Sequence, residues 1–176
     1  LLVIGGGKLG EGLENLLREP SFEVVESDVV IGERTSLVCD AHDLPFADGT
    51  FDAVILQGVL EYMADPFRVA DEIHRVLRAD GMVYAESPFM QPVHGGGHDF
   101  FRFTDRGHRR VFHHFEEIKS GVVCGPGMAL SSSYRYFLRS LVHSRAGRIV
   151  TDAVGRLTSF CLSHLDEGIA ENDSAF

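Results

Sequence analysis

Four apolar residues, Leu1-Leu2-Val3-Ile4, run directly into Gly5-Gly6-Gly7-Lys8-Leu9-Gly10, and Glu11-Gly12-Leu13-Glu14-Asn15-Leu16-Leu17 follows. No other stretch restricts the fold as much. A short continuous apolar run fits a strand buried on both faces, the G-x-G-x-x-G spacing turns the chain sharply, and the leucines beyond it return at helical spacing. The reading is strand, glycine turn, helix. Gly5 and Gly7 permit tight backbone geometry and close approach of a ligand, while Gly10 lets the helix pack near the strand and the first helical amides face the turn. Such a turn is expected to cradle a nucleotide, although the same spacing also serves as a plain strand–helix connection.

The chain then alternates between strand and helix signals. Phe22-Glu23-Val24-Val25-Glu26 leads to a second strand ending near Ser27-Asp28, where an acid about 20 residues beyond a glycine turn can hold a ribose hydroxyl pair. Asp28 is the first candidate and Glu26 the second, against the plain alternative that both are solvated loop acids. The link to the next strand, Ser36-Leu37-Val38-Cys39, leaves room for only a short helix or none. A loop rich in Asp, Pro and Gly follows, then a buried strand over Phe51-Asp52-Ala53-Val54-Ile55-Leu56 with its exit at Gln57-Gly58. Asp65 caps a helix that starts at Pro66, with Phe67, Ala70, Ile73, Val76 and Leu77 on one face and a stop at Ala79-Asp80-Gly81. Met82 to Glu86 is the fifth strand, Thr104 caps a helix through about Phe112, and Phe115 to Cys124 is expected as a further strand. This alternation predicts an α/β fold: a Rossmann-like, mostly parallel sheet of six or seven strands with helices on both faces. Ligands of such sheets sit at the carboxyl ends of the strands.

Totals narrow the function classes. With 176 residues and 44% of them hydrophobic, the chain can bury one sizeable core. A formal net charge of -10 argues against a nucleic-acid partner, which requires a basic face. Cys39, Cys124 and Cys161 have no metal-type spacing and are odd in number, as expected of reduced thiols in a cytoplasmic protein. No apolar run approaches the roughly 20 residues of a membrane span, and no signal peptide is evident. Leu1 already falls inside the first strand and is not Met, which reads as processing or trimming of the ends.

The middle of the chain carries a more specific pattern. Asp40-Ala41-His42-Asp43-Leu44-Pro45-Phe46, Asp48-x-x-Phe51-Asp52-x-Val54, Val59-Leu60-Glu61-Tyr62, Pro66 and Glu72-Ile73-x-Arg75-Val76-Leu77-Arg78-x-x-Gly81 resemble the class I S-adenosylmethionine-dependent methyltransferases of the small-molecule branch. The resemblance runs over roughly Leu1 to Cys124 and implies S-adenosylmethionine as cofactor. It implies that Gly5, Gly7 and Gly10 flank the methionine part, Asp28 the ribose hydroxyls, Asp40 with Ala41 the adenine, and that Gln57 lies beside the sulfonium. Glu61 and Tyr62, within the matched stretch, are expected to contact substrate. Two positions depart from the family pattern. Val3 stands where members usually carry an acid, and the glycine turn is one residue longer than G-x-G-x-G. Both departures also suit a nicotinamide site, so an NAD(P)-dependent oxidoreductase remains an alternative, as does a non-catalytic methyltransferase-like partner subunit.

Ser87 to Thr104 leaves the fifth strand near the expected methyl group and holds His94, His98, Asp99 and Arg102 among phenylalanines and glycines. A loop of this composition suits a cover over substrate. Methyl transfer needs alignment and exclusion of water, and a base only where the acceptor must lose a proton. His94 is the candidate base, because an ordinary imidazole titrates at about 6.5, with Asp99 beside it in the catalytic group and His98 and Arg102 as substrate contacts. The plain alternative is that His94, Asp99 and Arg102 bind one another and staple the loop. A metal site from His94, His98, Asp99 and His113 or His114 has no standard spacing behind it, and none is assigned. His42, His74, His108 and His143 read as surface or packing residues.

Beyond a core assigned to residues 1–125, residues 126–176 form a helical extension. Tyr134, Phe137, Leu138, Leu141 and Val142 share one helical face, and Ile149, Val150, Ala153, Val154, Leu157, Phe160 and Cys161 share another. Between Pro126 and Leu165 stand five arginines and a single acid, Asp152. These two C-terminal amphipathic helices are expected to pack on the sheet or pair with a second subunit as a homodimer. A membrane-surface or lid role is the alternative, and would suit a lipid-linked acceptor. The final residues are too short and polar a stretch for the last antiparallel strand of the family. The expected function is S-adenosylmethionine-dependent methyl transfer to a small-molecule or glycan- or lipid-linked acceptor, at oxygen.

Overall fold

A computed structural model of the chain describes residues 1–7, 12–94 and 96–170. Five strands form one sheet: β1 (Leu2–Ile4), β2 (Val25–Asp28), β3 (Leu37–Val38), β4 (Phe51–Gln57) and β5 (Leu77–Glu86). Every pairing is parallel and the order is β3-β2-β1-β4-β5. The two compact units of the chain are Leu1–Phe89 with His94–Glu116, and Met90–Val93 with the residues from Glu117 onward.

Alternation along the central strands explains why helices flank the sheet. Leu2, Ile4, Val54 and Leu56 point to one face and pack in a cluster with Val69, Ile73 and Val76 of α2 (Pro66–Val76). Val3 and Ile55 point to the other and meet Leu13 and Leu17, at and within α1 (Glu14–Leu17). Val3 thus belongs to an apolar cluster where the family pattern has an acid. The α2 start is the expected one, with the Asp65 carboxylate accepting from the Arg68 amide at 3.1 Å and Pro66 as first residue. Thr104 likewise caps α3 (Asp105–Val111), accepting from the Gly107 amide at 3.1 Å. No helix intervenes between β2 and β3.

Three expectations are corrected. The sheet holds five strands among the described residues, not six or seven. Phe115 to Cys124 is not a strand: Ile118, Val122 and Val123 are largely exposed, and the charged and glycine residues between them leave no continuous face to bury. The helix α2 ends at Val76 rather than near Ala79, because Leu77 is drawn into the core as an extended residue opposite Phe51. The register then shifts so that Met82 faces Ala53, and Arg78 within the bulge pairs with Asp52. The final segment considered for an antiparallel strand lies, from residue 171, outside the described residues.

The second unit holds α4 (Pro126–Ser140) and α5 (Arg145–Ala170), which pack antiparallel. The Asp166 carboxylate accepts from the amides of Gly127 and Met128 at 2.7 and 2.8 Å, so α5 caps the start of α4. Midway, the Ser131 and Ser159 hydroxyls bond at 2.7 Å, and Arg139 bonds Asp152 at 2.7 and 3.0 Å.

Candidate active site

The sheet reverses its winding at β1, which lies between β2 and β4, so the crevice beyond the carboxyl ends of these strands is the natural ligand position. The glycine turn lines it. Gly5 has φ +77°, its amide bonds the Ser27 carbonyl at 2.8 Å, and an added Cβ would stand 2.4 Å from Val59 Cγ2. Only glycine fits there. The Gly7 amide donates to Asp28 Oδ2 at 3.1 Å, and the Val30 amide to Oδ1 at 3.1 Å. These two bonds aim the carboxylate at the turn and leave about half of its four lone-pair sites for a ligand. Glu26 is spent elsewhere: it is buried, with both oxygens 3.0 Å from Arg34 Nε. Of the two acids of β2, Asp28 therefore stands at the crevice. Gly10 lies outside the described residues.

The loop after β3 brings Asp40 and Ala41 to the same edge of the sheet. Ala41 is buried in the core, whereas Asp40 is exposed and accepts from the His42 amide at 2.9 Å and from its ring Nδ1 at 2.6 Å. These His42 contacts hold the Asp40 carboxyl below the usual carboxylate range. His42 is more than a packing residue. Its Nε2 accepts from the Asp65 amide at 3.1 Å, which leaves the hydrogen on Nδ1 for Asp40, and its carbonyl accepts from Arg68 at 2.8 Å. Arg75 latches the rest of the loop, donating to the Leu44 and Phe46 carbonyls at 2.9 and 2.7 Å and pairing with Glu72 and Asp48. Glu72 also accepts from the Leu44 amide at 2.8 Å. Sequence reading assigned no role to this latch, although Glu72 and Arg75, three apart on the polar face of α2, were its available signal. Gln57 ends β4, directly before Gly58 with φ +62°.

The expected substrate-side residues divide. Glu61, Tyr62, His94, Asp99 and Arg102 come together. Asp99 has a fully buried side chain; it pairs through both oxygens with Arg102 and accepts from the His94 amide at 2.8 Å. The His94 ring, 38% exposed, has Nδ1 3.4 Å from Arg102 Nη2 and stands edge-on to Tyr62 with centroids 5.6 Å apart. The Glu61 carbonyl accepts from the amides of Phe100 and Phe101 at 2.8 and 3.2 Å, tying this loop to the turn after β4. Its carboxyl is buried, with Oε2 lacking a hydrogen-bond partner among the described residues. Burial pushes the Glu61 carboxyl up, against weaker pulls from His94 and Arg102, and burial likewise raises Tyr62. His98 is not part of this group; it is exposed and its ring faces Phe100.

The residues named for a metal alternative are not gathered. The His113 and His114 rings lie against each other at a tilt of 40°, and His114 lies 3.4 Å from Asp71 beside His74, while Asp99 is engaged by Arg102. Among the described residues no group of three or more His, Cys, Asp and Glu is placed to hold a metal ion.

Residues 14–85 match the family model described as a methyltransferase domain. The chain is 45% identical over 49 residues to the chloroplastic 2-methyl-6-phytyl-1,4-hydroquinone methyltransferase 2 of Oryza sativa subsp. japonica, covering 28% of this chain and 14% of that protein. It is 48% identical over 44 residues to a ubiquinone/menaquinone biosynthesis C-methyltransferase of Desulfotalea psychrophila, covering 25% of this chain and 18% of that one. The chain thus spans less than a fifth of either relative. Among solved structures, that of the [4+2]-cyclase SpnF aligns with TM-score 0.55 and 18% identity over 94% of this chain and 69% of that one. A SAM-dependent methyltransferase from Aquifex aeolicus aligns with TM-score 0.50 and 14% identity over 64% and 69%. At these identities the two structures speak for the fold.

Proposed function

From a chain whose residues 14–85 match a methyltransferase domain on a Rossmann-like parallel sheet, we infer a class I S-adenosylmethionine-dependent enzyme that transfers the cofactor's methyl group to a small-molecule or glycan- or lipid-linked acceptor, at oxygen. The observation that carries this reading is the convergence of two groups on one sheet edge: the glycine turn with Asp28, and the Glu61-anchored loop bearing His94. The residues present suit the cofactor. Gly5 leaves no side chain in the turn, Asp28 keeps acceptor capacity for a ribose diol, and Asp40 stands exposed at the end of β3 for the adenine end.

S-adenosylmethionine supplies an electrophilic methyl on a sulfonium. The protein's part is alignment, dryness and removal of a proton. Gln57 at the end of β4 flanks the reacting centre in this reading, and Phe100, Phe101 and Phe103 supply apolar surface beside it. His94 takes the acceptor's hydroxyl proton at a ring nitrogen as the oxygen attacks. Asp99 holds the His94 backbone and the Arg102 fork, so its work is positioning. Glu61 and Tyr62 line the acceptor side.

A second reading concerns the attacked atom. One relative is named for a phytyl-bearing hydroquinone and the other for C-methylation in ubiquinone and menaquinone biosynthesis, which favours a hydroquinone acceptor methylated at carbon. Removing a phenolic proton also activates the ring carbons, so His94 keeps the same task. That a cyclase shares the fold is a reminder that architecture does not choose the chemistry. The test is incubation with methyl-labelled cofactor and a panel of phenols, hydroquinones and glycosides. Label in an ether methyl supports the first reading, label on a ring carbon the second, and no transfer to any acceptor, with cofactor bound, supports a partner subunit.

A further inference from the structure

The helical hairpin of α4 and α5 is packed inside out. Its seam is made of small and polar side chains: Ser131, Thr151 and Gly155 are buried, and the Ser131–Ser159 bond lies within it. Most of its large apolar side chains face outward, with Met128, Leu138 and Leu162 half-buried. Leu130, Tyr134, Phe137 and Leu141, at intervals of four, three and four, form one stripe down α4 and are 38 to 60% exposed. On α5, Ile149, Val150, Leu157 and Phe160 are each more than 60% exposed, and with Val154 they span an arc of about 140° at 100° per residue. A hairpin with a seam of serine, threonine and glycine and an apolar exterior is arranged for apolar surroundings, where small residues and hydroxyl bonds join helices.

Charge identifies those surroundings. Arg145 and Arg156, eleven residues apart and so on one edge of α5, border the apolar arc beside Ile149 and Phe160. With Arg148 they are exposed and make no ion pair among the described residues; Arg135 and Arg139 pair with Asp152, which Arg156 reaches only by its longer-range charge. An apolar arc bordered by arginines suits an interface of acyl chains and anionic headgroups, with the guanidinium groups reaching toward phosphate. No helix among the described residues is long and apolar enough to cross a membrane, so the hairpin would lie in the interface plane.

We propose that the α4–α5 hairpin docks on an anionic phospholipid surface through its outward apolar side chains and the arginines bordering them. This deepens the acceptor reading above, since it presents the enzyme at the phase where a lipid-tailed acceptor resides, but it stands on the hairpin alone.

Flotation of the full chain with phosphatidylcholine vesicles, with and without phosphatidylglycerol, tests it. The expected result is flotation only with the anionic vesicles, weakened by salt, and reduced about tenfold in the Arg145→Glu/Arg156→Glu double variant. Leu157→Glu/Phe160→Glu should abolish it; both side chains are exposed, so the fold is kept and helicity confirms this. Failure to float with either vesicle overturns the proposal. So does a soluble dimer that Leu157→Glu/Phe160→Glu splits without the wild type ever floating, which would assign the face to a second copy of the chain. Neither result touches the cofactor reading, which calorimetry tests separately.

Discussion

Glu61 is buried and its Oε2 has no hydrogen-bond partner among the described residues, so replacing it with methionine should stabilise the folded chain. Methionine has similar length and no group to desolvate, and an unsatisfied buried polar group costs about 1–3 kcal/mol. The Glu61→Met variant is therefore expected to gain about 1–3 kcal/mol in urea unfolding at pH 8, a rise in Tm of about 2–4 °C per kcal/mol at this chain length. The gain must depend on pH, with a sign that follows from the raised folded-state pKa. A carboxyl whose pKa rises on folding contributes its relative stability fully below the unfolded value, near 4.5, and loses it as pH climbs through the folded value. Wild type and variant should thus converge toward pH 4 and separate above it. Methyl transfer should fall in the variant, since a carboxyl retained against stability is retained for the acceptor. A variant less stable than wild type at pH 8, or a difference flat in pH, would refute the reasoning.

The remaining predictions concern the cofactor side, the base and the hairpin. Arg75→Met strips the Leu44 and Phe46 carbonyls and the Glu72 carboxylate of their donor; with Arg75 one-third exposed, about 1–3 kcal/mol of stability should go in urea unfolding, along with affinity for S-adenosylmethionine. Gly5→Ala forces a Cβ into Val59 at positive φ, and should cost at least about 2 kcal/mol and abolish cofactor binding by calorimetry. His94→Gln should lower kcat about 10²-fold or more while cofactor affinity holds; equal losses of both would make His94 a staple. Asp166→Ala uncaps α4 and should cost about 0.5–2 kcal/mol by thermal melting of the helical signal.

Local chemistry made much of this structure legible. The apolar run before Gly5, the Asp65–Pro66 start of α2 and the Thr104 cap of α3 are decided within a few residues, and the structure has all three. What failed depends on distant partners. The end of α2 is set by Leu77 finding Phe51 across the sheet, and the segment from Phe115 to Cys124 has strand-forming residues but no strand beside it. At the site, Asp28 ranked ahead of Glu26 by its place at the strand end, and the structure adds a physical difference between them, since Arg34 engages Glu26 from eight residues away. His94 as base and His98 as substrate contact were drawn from one loop, and of the two it is His94 whose amide Asp99 holds, while His98 is exposed with its ring toward Phe100. The hairpin shows the limit of periodicity: it located the apolar faces of both helices but not that serine and glycine faces form the seam.

The central claim is that the crevice beside Gly5, Gly7 and Asp28 holds an adenosyl cofactor. Calorimetric titration of the full chain with S-adenosylmethionine, S-adenosylhomocysteine and NADH, alongside Asp28→Ala, tests it most directly. The account predicts binding of both adenosyl ligands, loss of that binding in Asp28→Ala, and none of NADH. Binding of NADH alone would contradict it and make the longer glycine turn and Val3 the true signal of a nicotinamide site.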